Sequence, residues 1–130
     1  MGRRKRAEPS FTDRELDVMA VLWERGRATV AEVQERLADE LAYTTVLTVL
    51  RTLEEKGYAG HEEGEGRAYR YHATVDREEA GASALTRLVG KVFGGSPELL
   101  LTHLVSQRGL TTEQLERMRR LLDDRLEEES

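Results

Sequence analysis

Apolar residues along the chain fall first into helical spacing, then into alternation, then back into helical spacing. Thr12 and Glu15 stand at the spacing of a capping box, and Phe11 with Leu16 at that of a hydrophobic staple. Leu16, Met19, Ala20, Leu22 and Trp23 mark the inward stripe of a first helix, which Gly26 closes. Thr29 and Glu32 repeat the box and open a short second helix with Val30, Val33 and Leu37 inward. Asp39, Glu40 and Leu41 form a turn. From Ala42 onward, at about 100° per residue, Val46, Val49, Leu50 and Leu53 gather on one side of a third helix, ended by Gly57. The period then drops to two. Residues 58–63 and 67–73 predict two strands around Gly64, Glu65 and Gly66, a short-loop hairpin. In the second strand Tyr69 and Tyr71 share one face; Ala68, Arg70 and His72 share the other. Two short helices, a turn, a third helix and a hairpin make a winged helix-turn-helix.

Helical spacing returns at Asp76, an N-cap with Glu79 at N3, and Leu85, Leu88, Val89, Val92 and Phe93 carry the apolar face. Gly94 and Gly95 break this helix, and Ser96-Pro97 starts another. Leu99, Leu100, Leu101, Leu104 and Val105 make the new helix apolar over much of its surface, which predicts burial on more than one side. After Gly109, Thr111 and Gln114 repeat the capping box, and Leu115, Met118, Leu121, Leu122 and Leu126 follow. These helices total about fifty residues, too few to bury so much aliphatic surface alone. The economical expectation is a second copy of the chain, with Leu99, Leu100, Leu104, Leu115, Met118, Leu121, Leu122 and Leu126 forming a symmetric interface. The other solution is a monomer whose three helices fold back on the winged helix. The predicted class is therefore mainly α with a small β-hairpin wing (α+β). The expected order is a basic arm at 1–10, a winged helix at 11–74 and a helical dimerisation domain at 75–127.

Composition sharpens the reading of the third helix. Its polar side holds Thr44, Thr45, Thr48, Arg51 and Thr52, where a solvated face would carry Glu and Lys. Threonine offers a short hydroxyl and a methyl; arginine offers a fork for guanine or phosphate. That pattern predicts a DNA-reading helix. The net charge of −5 speaks against nucleic acid, and residues 1–75 alone carry 12 Lys and Arg against 14 Asp and Glu. Attraction to phosphate must then come from local cations: Arg51, Arg67 and Arg70 in the body, and Arg3, Arg4, Lys5 and Arg6 in the arm, which is otherwise a disordered tail. Glu62, Glu63 and Glu65 predict a wing tip that stands off the DNA. The acidic balance leaves one alternative, a winged helix used as a protein-interaction module without DNA binding.

Catalysis finds no support. Cysteine is absent, which removes disulfides, thiolate metal sites and thiol nucleophiles, and fits a cytoplasmic location. His61, His72 and His103 lack metal-ligand spacing, and the Gly64-Glu65-Gly66 turn is no phosphate loop. The acidic run Asp123-Asp124 and 127–129 reads as a solvated helix end. No enzyme activity, metal or cofactor is expected, and no apolar run approaches the ~20 residues of a membrane span.

Taken together, the Thr12-to-Met19 run, Leu22-Trp23, Thr29-Val30-Ala31-Glu32-Val33, the run from Ala42 to Leu50, the run from Leu53 to Gly57 and that from Gly66 to Tyr71 closely resemble the penicillinase-repressor and methicillin-resistance regulator family (BlaI/MecI type, with copper-responsive CopY relatives). The resemblance runs from about Phe11 to about Asp124. It implies a homodimeric winged-helix repressor on double-stranded palindromic operators with TACA/TGTA-like half-sites, controlling antibiotic-resistance or stress genes. It places Thr44, Thr45, Thr48, Arg51 and Thr52 in the reading and phosphate-contacting positions and Arg67 in the wing. It also implies release by a sensor protease or another signal. In the best-known relatives that protease cuts an Asn–Phe bond, and the matching place here is His103-Leu104. The Cys-x-Cys pairs of the copper-responsive relatives have no counterpart.

Overall fold

A computed structural model describes residues 9–64, 66 and 68–130. The elements in order are α1 (Asp13–Arg25), β1 (Arg27–Ala28), α2 (Val30–Arg36), α3 (Tyr43–Glu55), β2 (Ala59–Glu63), β3 (Tyr69–Ala73), α4 (Arg77–Val92), α5 (Pro97–Val105) and α6 (Thr112–Glu129). The chain divides into two compact units, 1–86 and 87–130. No helix among the described residues is long and apolar enough to cross a membrane.

Helix starts follow the capping chemistry. The Thr12 hydroxyl accepts from the Glu15 amide at 3.1 Å, and the Glu15 carboxylate accepts from the Thr12 amide at 2.8 Å. Thr29 with Glu32 and Thr111 with Gln114 build the same reciprocal pair. Gly26 closes α1 at φ 89, a backbone shape that side chains with a Cβ avoid. Asp76 Oδ1 accepts from the Glu79 amide at 2.7 Å, and Ser96 caps α5 with Pro97 behind it.

Two expectations are corrected in the first unit. The buried arc of α1 is Glu15, Val18, Met19, Val21 and Leu22, whereas Ala20 is exposed and Leu16 only partly covered. The helix is enclosed over a wider arc than a single stripe, because α2, α3 and β3 all pack on it. Glu15 sits inside that arc because Lys56 meets both its carboxylate oxygens at 2.9 Å. The sheet also has three strands rather than two. The order is β1-β3-β2, all antiparallel, with Ala28 opposite Tyr71 and His61 opposite Tyr71 on the other side. A two-residue strand carries no alternation for a sequence reading to detect.

The core of the first unit joins Val18, Met19 and Leu22 of α1, Val33 of α2, Val46, Leu50 and Leu53 of α3, and Tyr71 of β3. Phe11 lies on Tyr58 at 4.7 Å between ring centroids, and the Trp23 indole donates to the Val75 carbonyl at 2.9 Å. The first turns of α4 are fixed to this unit, where the buried Ser83 hydroxyl donates to the Pro9 carbonyl at 2.7 Å.

In the second unit, Gly94 and Gly95 at φ 59 and 82 separate the end of α4 from α5. No residue of α5 or α6 is buried, so the predicted burial of α5 on more than one side is absent from the single chain. Leu121 and Leu126 are 70% and 67% exposed. Leu101, Leu104, Val105, Leu115, Met118 and Leu122 line an apolar groove of about 380 Å³.

Candidate nucleic-acid interface

Helix α3 is held from one side only. Val46, Leu50 and Leu53 are fully buried, with Leu47 and Val49 packed at the margins of the core. The turn before it is set by Gln34, whose amide donates to the Leu41 carbonyl at 2.8 Å. Its far end is set by Lys56 on Glu15. These ties leave Thr44, Thr45, Thr48 and Arg51 exposed, and Thr52 partly covered. Unlike α1, α2 and α6, α3 has no side-chain cap at its N-terminus, where Ala42 stands. Its first amides are thus presented to whatever lies in front of the helix.

The threonines are not equivalent. Thr48 donates its hydroxyl hydrogen to the Thr44 carbonyl at 2.9 Å, which leaves oxygen lone pairs and a methyl facing outward. Such a group accepts from a base amino group or touches a thymine methyl.

Arg51 stands at the edge of the threonine arc, beside a cleft of about 350 Å³ between α3, the start of α2 and the wing. Tyr43, Leu47, Ala68, Tyr69 and Tyr71 line the cleft with it. Its guanidinium lies in this cleft with the Tyr71 phenol and interacts with it electrostatically. Burial, reinforced by the Glu54 charge, pushes the Tyr71 phenol above its ordinary 10.0 against the pull of Arg51, so the phenol is neutral near pH 7. Across the same layer, His61 Nδ1 meets the two Glu54 oxygens at 2.7 and 2.8 Å. The His61 ring lies 4.4 Å from Tyr69 and 5.4 Å from Tyr71.

The wing places Arg70 at the surface, its Nε 2.9 Å from where a Cβ on Gly64 would stand, so this glycine makes room for the arginine. Arg67 and the arm residues Arg3, Arg4, Lys5 and Arg6 lie outside the described residues, as does Glu65. Glu62 and Glu63 are exposed on β2. Among the described residues of this unit, Arg25 is paired with Glu32, Arg27 with Glu62, and Lys56 with Glu15.

Two residues escaped the sequence reading. Tyr43, 50% exposed, opens α3, and Tyr69, 45% exposed, faces it from β3. The signal for Tyr69 was its shared strand face with Tyr71; for Tyr43 it was an aromatic at the very start of a threonine-rich helix. Among the described residues no cluster of three or more His, Asp or Glu side chains could hold a metal ion.

Comparisons with known proteins agree with this architecture. The penicillinase repressor family model matches residues 11–124. The penicillinase repressor of Bacillus licheniformis is 23% identical over 118 residues, covering 89% of this chain and 91% of that protein. The transcriptional regulator BlaI of Mycobacterium tuberculosis is 36% identical over 101 residues, covering 75% and 72%. A mutant MarR from E. coli, crystallised with operator DNA, superposes with a TM-score of 0.53 over 89% of this chain and 76% of that one; at 18% identity this likeness is one of fold. From its first helix to its last, the chain belongs to the penicillinase repressor family.

Proposed function

We propose that the chain is a DNA-binding transcriptional repressor that reads operator DNA through the exposed arc of α3 and acts as a homodimer in the cytoplasm. The observation that carries the reading is the split of α3. Val46, Leu50 and Leu53 anchor one side in the core, while Thr44, Thr45, Thr48 and Arg51 are exposed on the other. Inserted in a major groove, this arc offers hydroxyl and methyl contacts to base edges and one guanidinium to guanine or phosphate. Thr52 lies at its edge, and the uncapped start of α3 suits a phosphate oxygen. Arg70 and Arg67 of the wing and Arg3, Arg4, Lys5 and Arg6 of the arm supply further backbone attraction.

One such head presents few contacts. Two heads on a palindrome double them, and the exposed leucines of α5 and α6 supply the surface for a symmetric pair. Half-sites of the TACA/TGTA kind, and the relief of repression by a sensor protease or another signal, are part of the same proposal. The test is selection of bound duplexes from a random pool with the purified protein, followed by titration at several salt concentrations. A palindromic consensus whose binding weakens as salt rises is the expected result. Failure to retain any duplex at low salt overturns the reading and favours the protein-interaction module that the acidic balance allows.

A further inference from the structure

We infer that His61 and Tyr71, on the face of the wing that meets α3, are positioning residues that hold Arg51 in place and keep its charge available to DNA. The inference rests on the reading of α3 as the DNA-reading helix.

Arg51 and Glu54 are three residues apart on α3, the spacing at which opposite charges on a helix pair with each other. Such a pair would cancel the one cation the reading arc possesses. In the structure Glu54 is turned aside: both its oxygens lie on His61 Nδ1, across the gap to β2. Arg51 instead shares a cleft with a phenol, that of Tyr71, its proposed partner.

The choice of partner matters chemically. A carboxylate would hold the guanidinium and neutralise it. A neutral phenol holds it by accepting one N–H and leaves the charge and the remaining donors intact. Tyr71 is also a firm anchor. It is 2% exposed and sits on the central strand, with Ala28 on one side and His61 on the other. A guanidinium fixed in advance loses less conformational freedom when it meets its target. The wing therefore contributes to binding from behind the helix, whatever its acidic tip does in front.

The test uses a duplex selected from a random pool by the wild-type protein, with a scrambled duplex of equal length as control. Tyr71→Phe keeps the ring and removes the hydroxyl. It is expected to weaken binding of the selected duplex about tenfold, the scale of one hydrogen bond to a charged group. In an Arg51→Ala background the same change is expected to cost less than about twofold. Equal losses in the two backgrounds, or no loss in either, overturn the role of Tyr71. Independently, His61→Ala frees Glu54 to pair with Arg51 and is expected to weaken binding severalfold, with Glu54→Gln in the same chain restoring it. A His61→Ala defect that persists with Glu54→Gln, or no defect, overturns the role of His61. If the wild-type protein selects no duplex, the DNA reading itself falls; if it binds tightly while these effects fail, only the positioning assignment falls.

Discussion

At Thr48 the hydroxyl has no hydrogen left to give, because the Thr44 carbonyl has taken it. Only a donor on the base, or a thymine methyl, suits what remains. Thr48→Val keeps shape and methyl but loses the acceptor, and we expect it to cost operator binding about 1 kcal/mol while leaving binding to scrambled DNA unchanged. Competitive titration of the two duplexes checks this. Arg51→Ala is expected to cost about 1–3 kcal/mol in the same assay, and an unchanged affinity would remove Arg51 from the interface. Glu15 acts on stability rather than on DNA. Burial raises its carboxyl pKa, but hydrogen bonds from Lys56 and Thr12 and the Lys56 charge outweigh burial, so it lies below its ordinary 4.5. A carboxyl depressed in the folded state stabilises the protein above its unfolded pKa, and that stabilisation is lost as pH falls through the folded value. Glu15→Gln should lower stability near pH 7 by about 1–2 kcal/mol and flatten the acid limb of a stability-against-pH curve below about pH 5. Parallel limbs for the two proteins would show that Glu15 does not set that slope.

The elements were legible wherever local chemistry decides them. Capping pairs at Thr12, Thr29 and Thr111 mark three helix starts, and proline behind Ser96 marks a fourth. The threonine arc of α3 was visible because threonine is a poor choice for a merely solvated helix. What tertiary packing decides was not legible. Glu15 reads as a surface residue until Lys56, 41 positions away, is brought against it. Arg51 reads as free until the wing folds over and sets Tyr71 beside it. The short strand β1 exists only because β3 passes close enough to pair with it. The placement of α3 depends on the same packing. Leu50 is its fully buried anchor, so Leu50→Ala should cost the first unit about 2–5 kcal/mol in a denaturant titration. A loss under about 1 kcal/mol would mean the core closes over the gap.

For the whole molecule, the proposed dimerisation through the exposed leucines of α5 and α6 predicts that DNA binding depends on protein concentration. Leu122→Asp places a charge in their midst and is expected to yield a monomer with much weaker operator binding; a dimer in sedimentation would exclude Leu122 from the interface. The Arg and Lys ion pairs among the described residues of the first unit carry a different consequence, one for how the protein finds its site. A cation that must first leave a carboxylate gains less from a phosphate, so Arg25, Arg27 and Lys56 are expected to add less than unpaired cations would to sequence-independent binding. With a net charge of −5, such a reader is expected to spend less time on random stretches of a chromosome than a basic one would. A genome offers on the order of a million or more competing sites. Weak affinity for all of them leaves more of the protein free to reach the few it recognises.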